Sequence, residues 1–255
     1  MKLPVSVAII TYNGENIIDK CLEKLTNFIE VVVLDSGSSD KTIEIAEKYD
    51  NCKIYYNKFE SFPKQKNLAI SFCTQKWILV LDQDEILTDK ALSMIANIVN
   101  NNKLECLRLY MKEYFLGRIL STPSCGRIKL FPQGKAHFDE NIIVHEKLIL
   151  SDELKIIDKG GCFIHYSTES IEQYIAKINK YSSLSANSKY LKGKRFSRLK
   201  CFTIFHINLI KFLIFKGEIF KGKETIISAF IASFYAFIKE VKLLEESVKR
   251  NTKED

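Results

Sequence analysis

The 255-residue chain is 46% hydrophobic and 27% charged, enough to bury one substantial core or one ordinary domain with a smaller appendage, and unlike a disordered or low-complexity protein. A formal net charge of +7 favours polyanions, which include nucleic acid, anionic lipid and phosphorylated substrates. The excess collects at Lys189, Lys192, Lys194, Arg195, Arg198 and Lys200, just before the most apolar part of the chain, which suits an anionic membrane surface and speaks against a nucleic-acid partner.

Residues 5–10 form a short apolar run rich in β-branched side chains. The polar cluster Thr11-Tyr12-Asn13-Gly14-Glu15 follows, then Ile17, Ile18, Cys21, Leu22 and Leu25 at helical spacing: strand, loop, helix. The pattern repeats with residues 31–34, the loop Asp35-Ser36-Gly37-Ser38-Ser39-Asp40, and a helix carrying Ile43, Ile45 and Ala46 with Asp40 as its N-cap. A third strand at 53–56, a helical stretch at 67–72 and a fourth strand at 77–81 lead to Asp82-Gln83-Asp84-Glu85. Apolar strands alternating with helices predict an α/β fold with a parallel sheet covered on both faces, where ligands collect beyond the carboxyl ends of the strands. The polar clusters lie at those ends.

Beyond residue 104 the segments become shorter and mixed, among them 127–131 and 146–150. A helix follows with Ile171, Tyr174, Ile175, Ile178 and Tyr181 on one face, and this half is expected to cover the site. Residues 199–215 and 225–241 are dominated by Phe, Ile, Leu and Ala. Each run is near the lower limit of about 17 residues for crossing a bilayer, and Lys200, His206, Asn208 and Lys211 interrupt the first, so spanning is disfavoured. Two arrangements remain: helices packed on the preceding domain, or an amphipathic hairpin in a membrane interface. The cysteines at 21, 52, 73, 106, 125, 162 and 201 form no C-x-x-C pair, and the first residues show no apolar stretch of a signal peptide. Both features predict thiols in a reducing cytoplasm.

Asp82-Gln83-Asp84 closes the fourth strand. Two carboxylates one residue apart at a strand end can face a diphosphate and a hard divalent cation bridging it, although such residues can equally cap the next helix. Asp35, at the end of the second strand, is placed to hydrogen-bond a ribose or base, and Thr11, Asn13 and Glu15 line the first loop of the same crevice. No G-x-G-x-x-G follows the first strand, so the loop offers side chains to a nucleoside and no dinucleotide cofactor is expected.

In this order, Thr11-Tyr12-Asn13, the loop 35–40, Lys64-Gln65-Lys66-Asn67 and Trp77-Ile78-Leu79-Val80-Leu81-Asp82-Gln83-Asp84-Glu85 resemble family 2 glycosyltransferases of the GT-A fold. Arg127-Ile128-Lys129-Leu130-Phe131, Val144-His145-Glu146, His165-Tyr166-Ser167 and the helix from Tyr174 to Tyr181 are similar to the branch of lipopolysaccharide-core glucosyltransferases, as is the tail over 217–244. The resemblance implies a GT-A catalytic domain, Rossmann-like with a mostly parallel sheet, over residues 1–195, and a helical, membrane-associating extension over 196–255. It implies a nucleotide-sugar donor, UDP-glucose, held by Thr11, Tyr12, Asn13, Glu15, Asp35, Lys66, Asp82 and Gln83. Asp84 and His165 become ligands of a divalent metal, Mn2+ or Mg2+. Inversion by direct displacement requires a carboxylate base beside the acceptor hydroxyl. Glu146 is the candidate, with Asp139 and Glu140 as competitors and His145 beside it in the same motif. The implied acceptor is the core of a lipopolysaccharide or another lipid-linked glycan, at the inner face of the cytoplasmic membrane.

The chain departs from the family where many members carry Asn-Glu-Glu and this one has Asn13-Gly14-Glu15, and where a Glu-Asp pair is replaced by His145-Glu146. His145 and His165 also fit as core histidines. Two readings from other classes use the same residues: a metal-dependent phosphotransferase with Asp82 as nucleophile and Asp84 as acid-base, and a non-catalytic, membrane-associated sugar-binding protein.

Overall fold

The computed structural model describes residues 2–101, 105–120, 123, 126–142, 146–167 and 170–251. Its first part follows the expected alternation: β1 (Leu3–Thr11), α1 (Ile18–Glu23), β2 (Phe28–Asp35), α2 (Thr42–Ala46), β3 (Cys52–Tyr56), α3 (Phe62–Ser71) and β4 (Trp77–Asp82). Then come β5 (Glu85–Leu87), α4 (Asp89–Asn101), β6 (Glu105–Phe115), β7 (Arg118–Ile119), β8 (Gly126–Pro132), β9 (Ala136–Phe138), β10 (Leu148–Leu150) and β11 (Lys155–His165). The chain closes with α5 (Ile171–Leu191), α6 (Arg198–Ile210) running into a π-helical turn at Lys211–Phe215, a 3-10 turn at Glu218–Phe220, and α7 (Lys223–Asn251).

The central sheet has the order β3-β2-β1-β4-β8-β6-β11-β5, and β9 and β10 form a separate antiparallel pair. Strands β3, β2, β1 and β4 are parallel, as are β6 and β11, whereas β8 runs antiparallel to both of its neighbours and β5 antiparallel to β11. Alternate residues of the first strands enter different cores. Val5, Val7, Ile9, Val31, Val33, Leu79 and Leu81 join Ile18 and Leu22 of α1 and Ile95 of α4. Ala8, Ile10, Val32, Leu34, Ile78 and Val80 join Ala69 of α3. A strand apolar at every position is therefore covered on both faces, at about 1.5–3 kcal/mol for each large side chain removed from water. Asp40 sits one residue before the assigned cap of α2, and its Oδ1 accepts from the Thr42 N–H at 3.0 Å.

Two compact units divide the chain: Met1–Glu113 with Thr122–Ser167, and Tyr114–Ser121 with Thr168–Asp255. Helix α5 falls in the second unit with the helices that follow it. Its buried Ile178, Ser182 and Ala186 and the buried Ala229 and Ser233 of α7 are small or slender enough for close helix packing. Among the described residues no helix is long and apolar enough to cross a membrane.

One carboxylate staples three helices of the second unit. Glu240 of α7 is buried, and its Oε1 accepts from Lys189 of α5 at 3.0 Å and from Lys200 of α6 at 2.5 Å. Burial opposes its charge, yet the two lysines hold its carboxyl below the usual carboxylate range. Glu240→Gln is expected to destabilise this unit by about 1–3 kcal/mol, with partly exposed lysines keeping the loss below that of a fully buried pair. A group with a depressed folded pKa stabilises above its unfolded value. The difference between variant and wild type in thermal melts should therefore be full above about pH 4.5 and shrink as pH falls further.

Candidate active site

Parallel register builds one edge of the site. Thr11 lies opposite Asp35 across β1 and β2, and Ile10 opposite Asp82 across β1 and β4, so three polar clusters distant in sequence reach the same ends of neighbouring strands. Gln83 joins the third cluster to the first. Its Oε1 accepts from the Thr11 hydroxyl and, at 2.9 Å, from the Tyr12 N–H, while its Nε2 donates to the Tyr12 carbonyl at 3.2 Å. A Cβ on Gly14 would stand 2.6 Å from Gln83 Oε1, so a larger residue there would require the Gln83 side chain to shift.

The first two loops are laced together. The Asn13 N–H donates to Ser38 Oγ at 2.9 Å and Asn13 Oδ1 accepts from the Ser39 N–H at 2.9 Å. Glu15 Oε2 accepts from the Lys41 N–H at 3.1 Å. Asp35 is buried and accepts from the N–H groups of Gly37 and Ser38 at 2.9 and 3.0 Å and from the Ser38 hydroxyl at 2.5 Å. Thr11, Asn13, Glu15 and Asp35 thus each use a polar atom to fix these loops, and Tyr12, 59% exposed, presents its side chain outward.

A row of charges runs behind Asp82. Lys66 of α3 is buried, 2.9 Å from Asp82 Oδ1 and 2.7 Å from Glu146 Oε2. The buried Lys66 ammonium thus bridges the two carboxylates, and Asp82 Oδ1 is itself buried against it. Burial opposes ionisation of both partners. Asp82 and Glu146 nevertheless raise Lys66 above the ordinary lysine range, and Lys66 with Lys129 holds Asp82 below the carboxylate range. Beneath them Lys129 of β8 meets Glu85 Oε2 at 2.5 Å, and that oxygen also accepts from the Asp82 N–H at 3.0 Å. Burial pushes the Glu85 carboxyl up against the pull of Lys129.

Asp84 faces a histidine. The antiparallel partner of His165 is Glu85 and its parallel partner is Glu113, which brings β11 to the end of the motif. Nε2 of His165 lies 3.3 Å from Asp84 Oδ2, and Nδ1 lies 3.1 Å from Glu113 Oε2. Burial disfavours the imidazolium, but hydrogen bonds to Asp84 and Glu113 raise its pKa to about 10. Among the described residues no group of three or more His, Cys, Asp or Glu side chains is arranged to hold a metal. Asp84 Oδ2 and His165 Nε2, 3.3 Å apart, would fit a divalent cation that displaces the Nε2 proton and draws its remaining ligands from outside the protein.

The three candidate bases separate. Glu146 joins the buried charge row, Asp139 Oδ1 accepts from the N–H and amide of its neighbour Asn141 at 3.0 and 3.1 Å, and Glu140 Oε1 accepts from Asn67 at 3.0 Å. His145 lies outside the described residues. Sequence reasoning missed Glu85, Lys129 and Glu113 as members of the site. A lysine alternating with apolar residues in 127–131 was the one available signal, because a cation inside a strand that reads as buried demands a carboxylate partner.

Residues 6–175, well over half of the chain, match the profile of Glycosyl transferase family 2. The lipopolysaccharide core biosynthesis glycosyltransferase LpsC of Rhizobium meliloti (strain 1021) is 29% identical over 255 residues, covering 96% of this chain and 93% of LpsC. The uncharacterized glycosyltransferase RT0209 of Rickettsia typhi (strain ATCC VR-144 / Wilmington) is 28% identical over 258 residues, covering 96% and 88%. S. aureus TarS 1-349, solved in complex with UDP-GlcNAc, matches with a TM-score of 0.51 at 17% identity over 98% of this chain and 92% of that one, a likeness of fold. The mostly parallel α/β sheet is accordingly of the GT-A kind, and the phosphotransferase and non-catalytic readings are set aside. The chain belongs to glycosyl transferase family 2 and is a glycosyltransferase.

Proposed function

We propose that this enzyme moves glucose from UDP-glucose to a hydroxyl of a lipopolysaccharide or lipooligosaccharide core, inverting the anomeric centre. The observation that carries the reading is the unbroken row from Glu146 through Lys66 to Asp82, beside Asp84 and His165. It puts a candidate base and a candidate diphosphate site at two ends of one buried lysine. The similarity to LpsC supports a core glycan as acceptor.

In this mechanism Thr11, Tyr12, Asn13, Glu15, Asp35 and Gln83 shape the nucleoside pocket, and Asp82 binds the ribose side. Asp84 and His165 would hold a divalent cation, which when bound would neutralise the departing nucleoside diphosphate. Lys66 adds a second positive charge on the donor side. A diphosphate competing for Lys66 loosens its hold on Glu146, which then accepts the proton of the acceptor hydroxyl as that oxygen attacks the anomeric carbon. The test is incubation of the enzyme and a core oligosaccharide with a panel of nucleotide sugars, with Mn2+ or with excess EDTA. Metal-dependent transfer from UDP-glucose with an inverted linkage is expected. A retained linkage, or full transfer in EDTA, would refute this mechanism.

The same proposal places the enzyme on the inner face of the cytoplasmic membrane. Leu199, Phe202, Ile207, Ile214, Phe215 and Phe220 are exposed on α6 and the turns after it, no residue of α6 is buried, and Lys211, Lys216 and Lys221 lie among them. Rings beside lysines match an anionic lipid interface. Full-length protein should float with anionic vesicles at low salt, and Phe202→Ser with Phe215→Ser should weaken flotation without changing donor binding. A wild-type protein that ignores such vesicles removes this reading.

A further inference from the structure

Glu113 has no part in the roles above, yet its carboxylate straddles one imidazole. Both oxygens lie 3.1 Å from Nδ1 of His165, whose other ring nitrogen lies 3.3 Å from Asp84. The backbone imposes this encounter: Glu113 is the register partner of His165 across β6 and β11, and the next residue, Tyr166, donates its N–H to the Asp84 carbonyl at 2.9 Å. A ring anchored at Nδ1 cannot turn over without breaking that contact, so Nε2 stays directed at Asp84. Imidazoles that bind metals gain orientation and tautomer from such a carboxylate.

We propose that Glu113 is a positioning residue of the donor site, holding the His165 ring with Nε2 toward Asp84 and the cation that accompanies the diphosphate. The inference rests on the reading of Asp84 and His165 as the metal pair. Glu113 acts through His165 and is itself no ligand.

The experiment is UDP binding to the full-length enzyme by calorimetry, with Mn2+ and with excess EDTA. Wild type should bind UDP more tightly with Mn2+. Glu113→Ala should lower the affinity in Mn2+ by roughly 10- to 100-fold, leave the EDTA value unchanged, and raise the donor KM while sparing the acceptor KM. Glu113→Gln, whose amide oxygen still accepts the Nδ1 proton, should restore most of the loss. In the double variant with His165→Ala, removal of Glu113 should cost nothing further. A Glu113→Ala enzyme with the full Mn2+ effect overturns the proposal. Equal losses in the Ala and Gln variants also overturn it, since charge and direct ligation would then be what matters. Wild-type enzyme that binds UDP no better with Mn2+ than with EDTA defeats the metal reading underneath and the inference with it, and is recognised before any substitution is made.

Discussion

Glu146→Gln is expected to lower kcat by roughly two to four powers of ten while leaving UDP affinity close to that of wild type. The amide oxygen of glutamine can still accept from Lys66, now 2.7 Å from the carboxylate, so the loop and the buried lysine keep a partner. What disappears is the carboxylate that takes the acceptor proton. Asp139→Asn, which changes a carboxylate occupied by its neighbour Asn141, should stay within a fewfold of wild type. Steady-state rates on a core acceptor with calorimetric UDP binding make the comparison. Substantial activity in Glu146→Gln combined with a dead Asp139→Asn would transfer the role of base to Asp139.

Asp84→Asn is expected to reduce turnover by about a thousandfold or more, because removing a carboxylate from a hard cation site withdraws charge stabilisation worth several kcal/mol from the leaving diphosphate. The fold should survive: Asp84 is partly exposed, and His165 keeps Glu113 at 3.1 Å. The variant should melt near the wild-type temperature and lose the difference between UDP binding in Mn2+ and in EDTA. Turnover unchanged in the variant, or in wild type held in excess chelator, would refute the metal role.

The residues that meet in the site were legible to different degrees. Thr11, Asp35 and Asp82 could be placed from the sequence because each follows a continuous apolar strand, and the ends of parallel strands converge whatever the details of packing. Asp84 and His165 came together only by resemblance. The 11-residue strands β6 and β11 escaped notice because charged and glycine residues, among them Arg108, Lys112, Glu113, Asp158 and Gly160, break the apolar pattern on which strand recognition depends. The amphipathic stripe of α5 reveals that a face is covered and not by what, so its place among the second unit's helices is a tertiary fact.

The sequence by itself determined the alternation of strands and helices over the first 82 residues, the polar loops at the strand ends and the family. Hydrophobic periodicity and turn chemistry are local, and these residues carry both without interruption. Only the tertiary structure decided how the charges pair. Lys129 meets Glu85 from 44 residues away, Lys66 meets Glu146 from 80, and Glu113 reaches His165 from 52. Whether a buried carboxylate is ionised, loaded or free to take a proton depends on the nearest opposite charge. Strand order and register place that charge, and neither is encoded in any short stretch of the chain.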